Sequence, residues 1–482
     1  MEAIEFYQEA FKVYLKNSGD EPDTQKVTKL YSKMGDAYQL GGKNMEAIEY
    51  YEKVLRHYKI NSPKTKFSHL YKVFTNFISI LFFTTFPTTR FKKEATDLER
   101  WLLRVLYFNG KALYSYDSKR WFLQTVYTFN FFSHFSFSSN EYGQVTLSAY
   151  SILFNWTGIS LSMARKILKI SGENIETKTL FLQHEYFMFS KMHQFLEGNW
   201  KMEPDLEKIK SSVVEKGDIF NLAPFLLFCG FISCELGNEK ETFAIIESMK
   251  KIGEEFESDH CLAQYHRLKA VALYKFRKND QIIPETLKGI EYTRSTGHRG
   301  MLQIIYCMHL ITSAKMNDLE SARLDMVEIE KLMPPLKKIK IWYSTYFLAK
   351  AYLLTEEFRR DPENKSLKSN LIKTCKSAIK QARMVPNNLI ESHRIAANAM
   401  WMVGKKKTAI KHYLKSIEAG EKVNGKLELS RTYFELGKRM MSNGNHKIKG
   451  HSGEQYLEKA RTMFMNMNLT YDLEELERFM AK

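Results

Sequence analysis

The chain has 482 residues, 44% hydrophobic and 26% charged, and its 72 Lys+Arg against 55 Asp+Glu give a formal net charge of +17. Apolar and charged usage this close to globular norms excludes disorder or a membrane protein as the leading class, and ten prolines with 23 glycines supply no linker that would divide the chain. The positive excess points to an acidic partner, but its densest clusters, Lys337-Lys338-Ile339-Lys340 and Lys405-Lys406-Lys407, are too short for a nucleic-acid-binding arm and read as a solvated surface.

Met1 to Tyr7 lack the basic start and apolar stretch of a signal peptide. Ala3, Tyr7 and Ala10 instead repeat the spacing of Ala47, Tyr51 and Val54, so residues 1–16 look like the second helix of a hairpin whose first helix is missing. That suggests a piece of a longer chain or an alternative start. From Leu30 to Leu55 the hairpin is complete: Tyr31, Met34 and Tyr38 share one helical face, Gly41-Gly42 breaks the chain, and Ala47, Tyr51 and Val54 share the next face. Gly35 and Ala47 are small enough to let the two backbones approach while the tyrosines fill the remaining space.

Val73 to Phe86 is the most apolar stretch, but it holds Asn76 and falls short of the roughly 20 residues that span a bilayer. It reads as a buried helix with no transmembrane segment, with peripheral membrane contact at 73–86 as the alternative. Turn signals then recur about every 40 residues, at Gly42, Gly158, Gly198, Gly237, Lys278-Asn279-Asp280, Met316-Asn317-Asp318, Gly404 and Gly444, with weaker ones near Thr85, Asp117-Ser118 and Glu357. Arg360 to Ser366 reads as an enlarged loop. The register predicts an all-α fold, a right-handed superhelical solenoid of about eleven antiparallel helix pairs. It divides into N-terminal repeats at 1–60, degenerate aromatic-rich repeats at 61–190, central repeats at 191–360, and C-terminal repeats with a capping helix at 361–482, in one continuous solenoid.

Cys229, Cys234, Cys261, Cys307 and Cys375 are odd in number and lack C-x-x-C spacing, as in a reduced cytoplasmic protein. Motifs for catalysis fail on spacing. Met402-Val403-Gly404-Lys405-Lys406 lacks the first glycine and the hydroxyl of a P-loop, and His184-Glu185 has Met188 where a zincin needs its second histidine. His446 and His451 have no third ligand nearby, Gly450-His451-Ser452-Gly453 is one residue short of a nucleophile elbow, and kinase signatures are missing. The expectation is a non-enzyme with no cofactor and no metal.

The hairpin at Leu30–Leu55 resembles the tetratricopeptide repeat, with a period longer than the usual 34 residues. Ala397, Gly404, Ala409 and Tyr413, and then Tyr433, Leu436, Gly437, Gly444 and Ala460, fill corresponding places. Glu46-Ala47-Ile48-Glu49-Tyr50-Tyr51, Leu196-Glu197-Gly198-Asn199-Trp200 and the ending from Tyr456 to Glu477 resemble the C-terminal repeat region of bacterial signalling proteins. Those proteins carry a Ser/Thr kinase or nucleotide cyclase and a STAND-type ATPase ahead of the repeats. The resemblance implies a sensor or scaffold arm whose effector lies upstream.

The concave face of such a solenoid binds a peptide, a protein or the chain's own effector domain. Repeat alignment places Lys29, Ser32, Asp36, Gln39, Tyr343, Tyr346, Lys350, Arg394, Asn398, Trp401, Arg431, Phe434 and Lys438 on that face, and the later ones suit an acidic, partly apolar segment. The rival reading is RNA or other nucleic-acid binding by a basic helical array, which lacks a base-reading code per repeat. A ligand-sensing transcriptional regulator would need a helix-turn-helix, and none can be placed.

Overall fold

The computed structural model describes residues 2–17, 23–40, 43–60, 66–86, 93–133, 135–136, 140–215, 217–336, 339–442 and 447–481. Gly41-Gly42, Lys337-Lys338, Gly444 and His446 therefore lie outside the described residues. Within them the fold is all-α, with 23 α-helices and only two isolated β-bridges, Lys93–Phe135 and Ile448–His451. The helices pack as successive pairs, as in a helical-repeat solenoid.

Two compact units are present. The first comprises Met1–Phe154 and Ser162–Phe189. It contains α1 (Glu2–Asn17), α2 (Thr24–Leu40), α3 (Asn44–His57), α4 (Lys66–Thr85), α5 (Asp97–Tyr116) and α6 (Ser118–Ser133), with most of α7 (Glu141–Thr157) and α8 (Leu161–Ser171) and the first part of α9 (Leu180–Glu197). In the α2–α3 pair Ala47, Tyr51 and Val54 are wholly buried, and a Cβ on Gly35 would come within 2.7 Å of the Tyr51 ring. The small residue is what admits the tyrosine. α4 interrupts the alternation of pairs, because α3 packs on α5 while α4 packs on α6.

The second unit holds α10 (Leu206–Glu215), α11 (Ile219–Glu235), α12 (Glu239–Glu255), α13 (Asp259–Lys275), α14 (Asn279–Ser295), α15 (Arg299–Lys315) and α16 (Leu319–Leu336). It continues with α17 (Lys340–Arg360), α18 (Lys365–Ala382), α19 (Pro386–Met402), α20 (Lys406–Val423), α21 (Lys426–Met441), α22 (Gly453–Asn466) and α23 (Thr470–Met480). From α11 to α22 the pairs follow one another without a break, around a core running from Ala270 to Ala409. Local chemistry sets the ends. Ser452 and Gln455 form a capping box that starts α22, which gives the Gly450–Gly453 stretch a structural role. The turn expected near Glu357 does not form there: α17 runs on to Arg360, Asn364 caps α18, and only Asp361–Asn364 intervene, so the Arg360–Ser366 stretch is not an enlarged loop.

The turn glycines do more than reverse the chain. Gly158, Gly198 and Gly237 all have positive φ (67°, 79° and 78°), a conformation glycine adopts cheaply. Each also lies against a hairpin five to six repeats further on: Gly158 against Lys340 and Met384, Gly198 against Val423 and Pro386, and Gly237 against Met467. The second unit thus winds until its later edge rests on its earlier one. Gly404 has the same backbone (φ 82°) but open space around it. Gly404→Ala should therefore cost about 1 kcal/mol from backbone strain alone. Gly198→Ala, whose Cβ would sit 2.4 Å from a Val423 methyl, should cost about 3 kcal/mol in urea denaturation. Equal losses would deny the close packing of the two edges.

Candidate functional site

The first helices of successive pairs, α11, α13, α15, α17, α19 and α21, pack on one another in order, and α11 also touches α21. The inner face of the second unit is consequently closed on itself rather than open as a groove. What fills it is charge. The Lys275 ammonium lies 2.9 Å from Glu428, 3.0 Å from Glu391 and 3.3 Å from Glu235, and all four side chains are at most 5% exposed. Arg394 lies 2.6 Å from Glu428, and the hydroxyls of Tyr274 and Tyr352 donate to Glu391.

Arg431 closes the ring. Its Nε and Nη2 donate to the two Asp472 oxygens, each at 2.9 Å, and Nη2 also donates to the Lys275 carbonyl at 2.6 Å. Arg277 adds Asp472 at 3.1 Å and Glu475 at 2.7 Å. Burial alone would push Glu391 and Glu428 up, but Lys275 and Arg394, joined at Glu428 by Arg431, outweigh it and hold both carboxyls below their ordinary value. Among the described residues Glu235 has only Lys275 as a cation partner, so burial wins and its carboxyl rises to about 7.

One inner-face cation differs. Lys315, on α15, is exposed, although the surrounding protein desolvates its ammonium, and among the described residues it has no ion pair. Its ammonium lies 3.4 Å from the Tyr274 hydroxyl and over the Tyr274 and Tyr352 rings, at 4.7 and 4.5 Å from their centroids. Enclosure, then repulsion from Arg277, Arg394 and Arg431, draws it down to about 7, with Glu391 opposing. Glu235, Lys275 and Lys315 recur at 40-residue steps in the last turn of α11, α13 and α15. That 40-residue recurrence of charge at helix ends is the sequence signal of this cluster, and it lies outside the positions set by the small residues.

The expected groove residues fall in several places. Arg394 and Arg431 belong to the buried network and are not free to meet a ligand. Tyr343 stacks on Tyr346, and Tyr346 and Lys350 both bind Glu330 of α16, so these three lie between α16 and α17. Asn398 accepts from Tyr413, and Trp401 lies beneath Lys406 and Arg439. Phe434 is buried against Phe464 and Phe479, with Lys438 over the Phe434 and Phe479 rings. In the first unit Lys29 is exposed and Ser32 buried, while Asp36 and Gln39 accept from the Tyr51 hydroxyl and Asp36 pairs with Arg104 at 2.8 Å. Of the nine in the second unit, Arg394, Arg431, Tyr346 and Phe434 are buried.

Glu185 is buried, pairs with Lys111 at 2.8 Å and accepts from Tyr107. Among the described residues no group of three His, Cys, Asp or Glu could hold a metal ion. All five cysteines are buried, and burial pushes Cys229, Cys261 and Cys375 up to about 12. No described helix is long and apolar enough to cross a membrane. α4 is only half-buried: Asn76, Ile80, Phe83 and Thr84 face the protein, while Phe74, Ile78, Phe82 and Phe86 are 48–63% exposed. The reading of 73–86 as a buried helix is therefore corrected, since this helix is apolar on both faces and one of them is exposed.

No protein-family model and no curated protein matches the chain. Among solved structures it is similar to a Rap protein complexed with competence and sporulation factor, with 12% identity over 85% of this chain and 99% of that one and a TM-score of 0.46. It is also similar to the anaphase-promoting-complex hetero-tetramer Cut9-Hcn1, with 10% identity over 98% and 81% of the two chains and a TM-score of 0.47. A circular tandem repeat protein aligns over 99% and 98% at 11% identity, with a TM-score of 0.19. Likenesses this distant add nothing to the architecture, which rests on the helix pairing itself.

Lys275→Met would leave Glu235, Glu391 and Glu428 facing one another without their shared cation. It should destabilise the second unit by about 3–5 kcal/mol in urea titration. A loss below about 1 kcal/mol would mean that the network does not hold the inner face closed.

Proposed function

We propose that this chain is a non-enzymatic scaffold that binds an acidic, partly apolar protein segment at the end of the inner face marked by Lys315. The observation that carries the reading is that every other inner-face cation named above is ion-paired with a carboxylate, whereas Lys315 is exposed and has no ion pair among the described residues. An incoming carboxylate would supply the missing charge, relieve the repulsion from Arg277, Arg394 and Arg431, and lie beside the Tyr274 and Tyr352 rings that suit an apolar neighbour. In a signalling protein with an upstream kinase, cyclase or STAND ATPase, such a segment would come from the effector. The cytoplasm, where the five thiols stay reduced, is the proposed setting.

The Lys315 ammonium is depressed to about 7 against an ordinary 10.5. A bound carboxylate favours the charged amine, so binding should take up a proton at pH 8 and weaken as pH rises through 7 and above. The other groups around it, Glu356, Glu391, Tyr274, Tyr352 and the three arginines, lie on α13, α17, α19 and α21 or in the turn after α13. Calorimetry in buffers of different ionisation enthalpy, with a short peptide alternating glutamate and leucine, would measure the uptake. Lys315→Met should abolish it and weaken binding about tenfold, a loss typical of one charge-assisted contact. Undiminished binding by Lys315→Glu would refute the placement.

A second reading, peripheral contact with a membrane, is favoured by the exposed Phe74, Ile78 and Phe82 on α4 and Phe86 just after it. Flotation with phosphatidylserine vesicles should recover the protein and fail for Phe74→Asp/Phe82→Asp. No flotation of the parent chain would end this reading.

A further inference from the structure

A cavity lies at the seam where the two edges of the second unit meet. This cleft has a volume of about 920 Å³, within the size range of sites for organic ligands. One wall comes from the early edge, with Lys240 and Phe243 of α12 and Lys278 in the turn before α14; the other comes from the late edge, with Lys426 and Leu429 of α21 and Met463 of α22. Lys278 is paired with Glu239 at 2.7 Å, whereas Lys240 and Lys426 have no ion pair among the described residues. Unpaired cations therefore stand on opposite walls.

We propose that this cleft binds an organic polyanion that bridges Lys240 and Lys426 and clamps the superhelical turn shut. Two like charges facing one cleft oppose its closure, and an anion between them replaces that repulsion with two attractions. Its anionic groups meet the lysines, and its carbon body rests on Phe243, Leu429 and Met463. A bare inorganic ion fills only a small part of the space. Because the walls belong to edges that also meet through Gly237–Met467 and Arg277–Asp472, occupancy couples to the inner-face network. The inference is independent of the Lys315 site.

The probes are citrate and triglutamate for carboxylates and inorganic pyrophosphate for phosphates, at constant ionic strength. The shared requirement is multiple negative charge, and the stronger responder identifies its source. Saturating probe should raise the melting temperature by about 5 °C. It should also narrow the distance distribution between spin labels at Glu247→Cys on α12 and Glu458→Cys on α22, the native cysteines being buried. Lys240→Ala/Lys426→Ala should lose both responses, while Lys405→Ala/Lys407→Ala and Lys315→Met keep them. The proposal is overturned by no response to any probe, by a response that survives in the Lys240/Lys426 variant, or by equal loss in the Lys405/Lys407 variant, which would mark diffuse attraction to a basic protein.

Discussion

The Lys275 ammonium, held among Glu235, Glu391 and Glu428, is the contact on which the second unit depends. These carboxylates come from α11, α19 and α21, so one point charge ties an early helix to two late ones across more than a hundred residues of chain. Each carboxylate left uncompensated in such an enclosed place would cost several kcal/mol, so closure and neutralisation come together. Arg394, Arg431, Asp472 and Arg277 extend the same logic outward, each acid meeting at least one base.

This closure changes what the repeat surface can offer. An open solenoid presents its first helices to a ligand, but here those helices present their charges to one another. What remains accessible lies at the margins: Lys315, whose counter-charge is missing, and the cleft where the two edges approach. Both are places where the matching of charges stops, and there a ligand would find a cation not already neutralised. The exposed apolar face of α4 is a separate feature of the first unit.

Much of the fold was legible in the residues. The step from Gly158 to Gly198 to Gly237 marked real turns because a helix hairpin needs a left-handed residue at its reversal, and this demand is local. Gly35 with Tyr51, and the cap at Ser452, were legible for the same reason. The Arg360–Ser366 stretch misled because its polarity suits both a loop and the exposed ends of two helices. The binding face was less legible. Spacing places Arg394 and Arg431 on the inner side of their helices but says nothing of Glu428 and Asp472, which meet them only once the chain has folded.

By itself, then, the sequence determined the helices, their pairing and the period, since these follow from apolar spacing and turn chemistry within about 40 residues. Tertiary structure alone decided that the inner face closes and which cations are left over. Superhelical pitch accumulates over five to six repeats, and contacts such as Lys275 with Glu428 join residues 153 positions apart. A small change in the angle between neighbouring pairs, which no local pattern encodes, would separate those partners and leave the groove open.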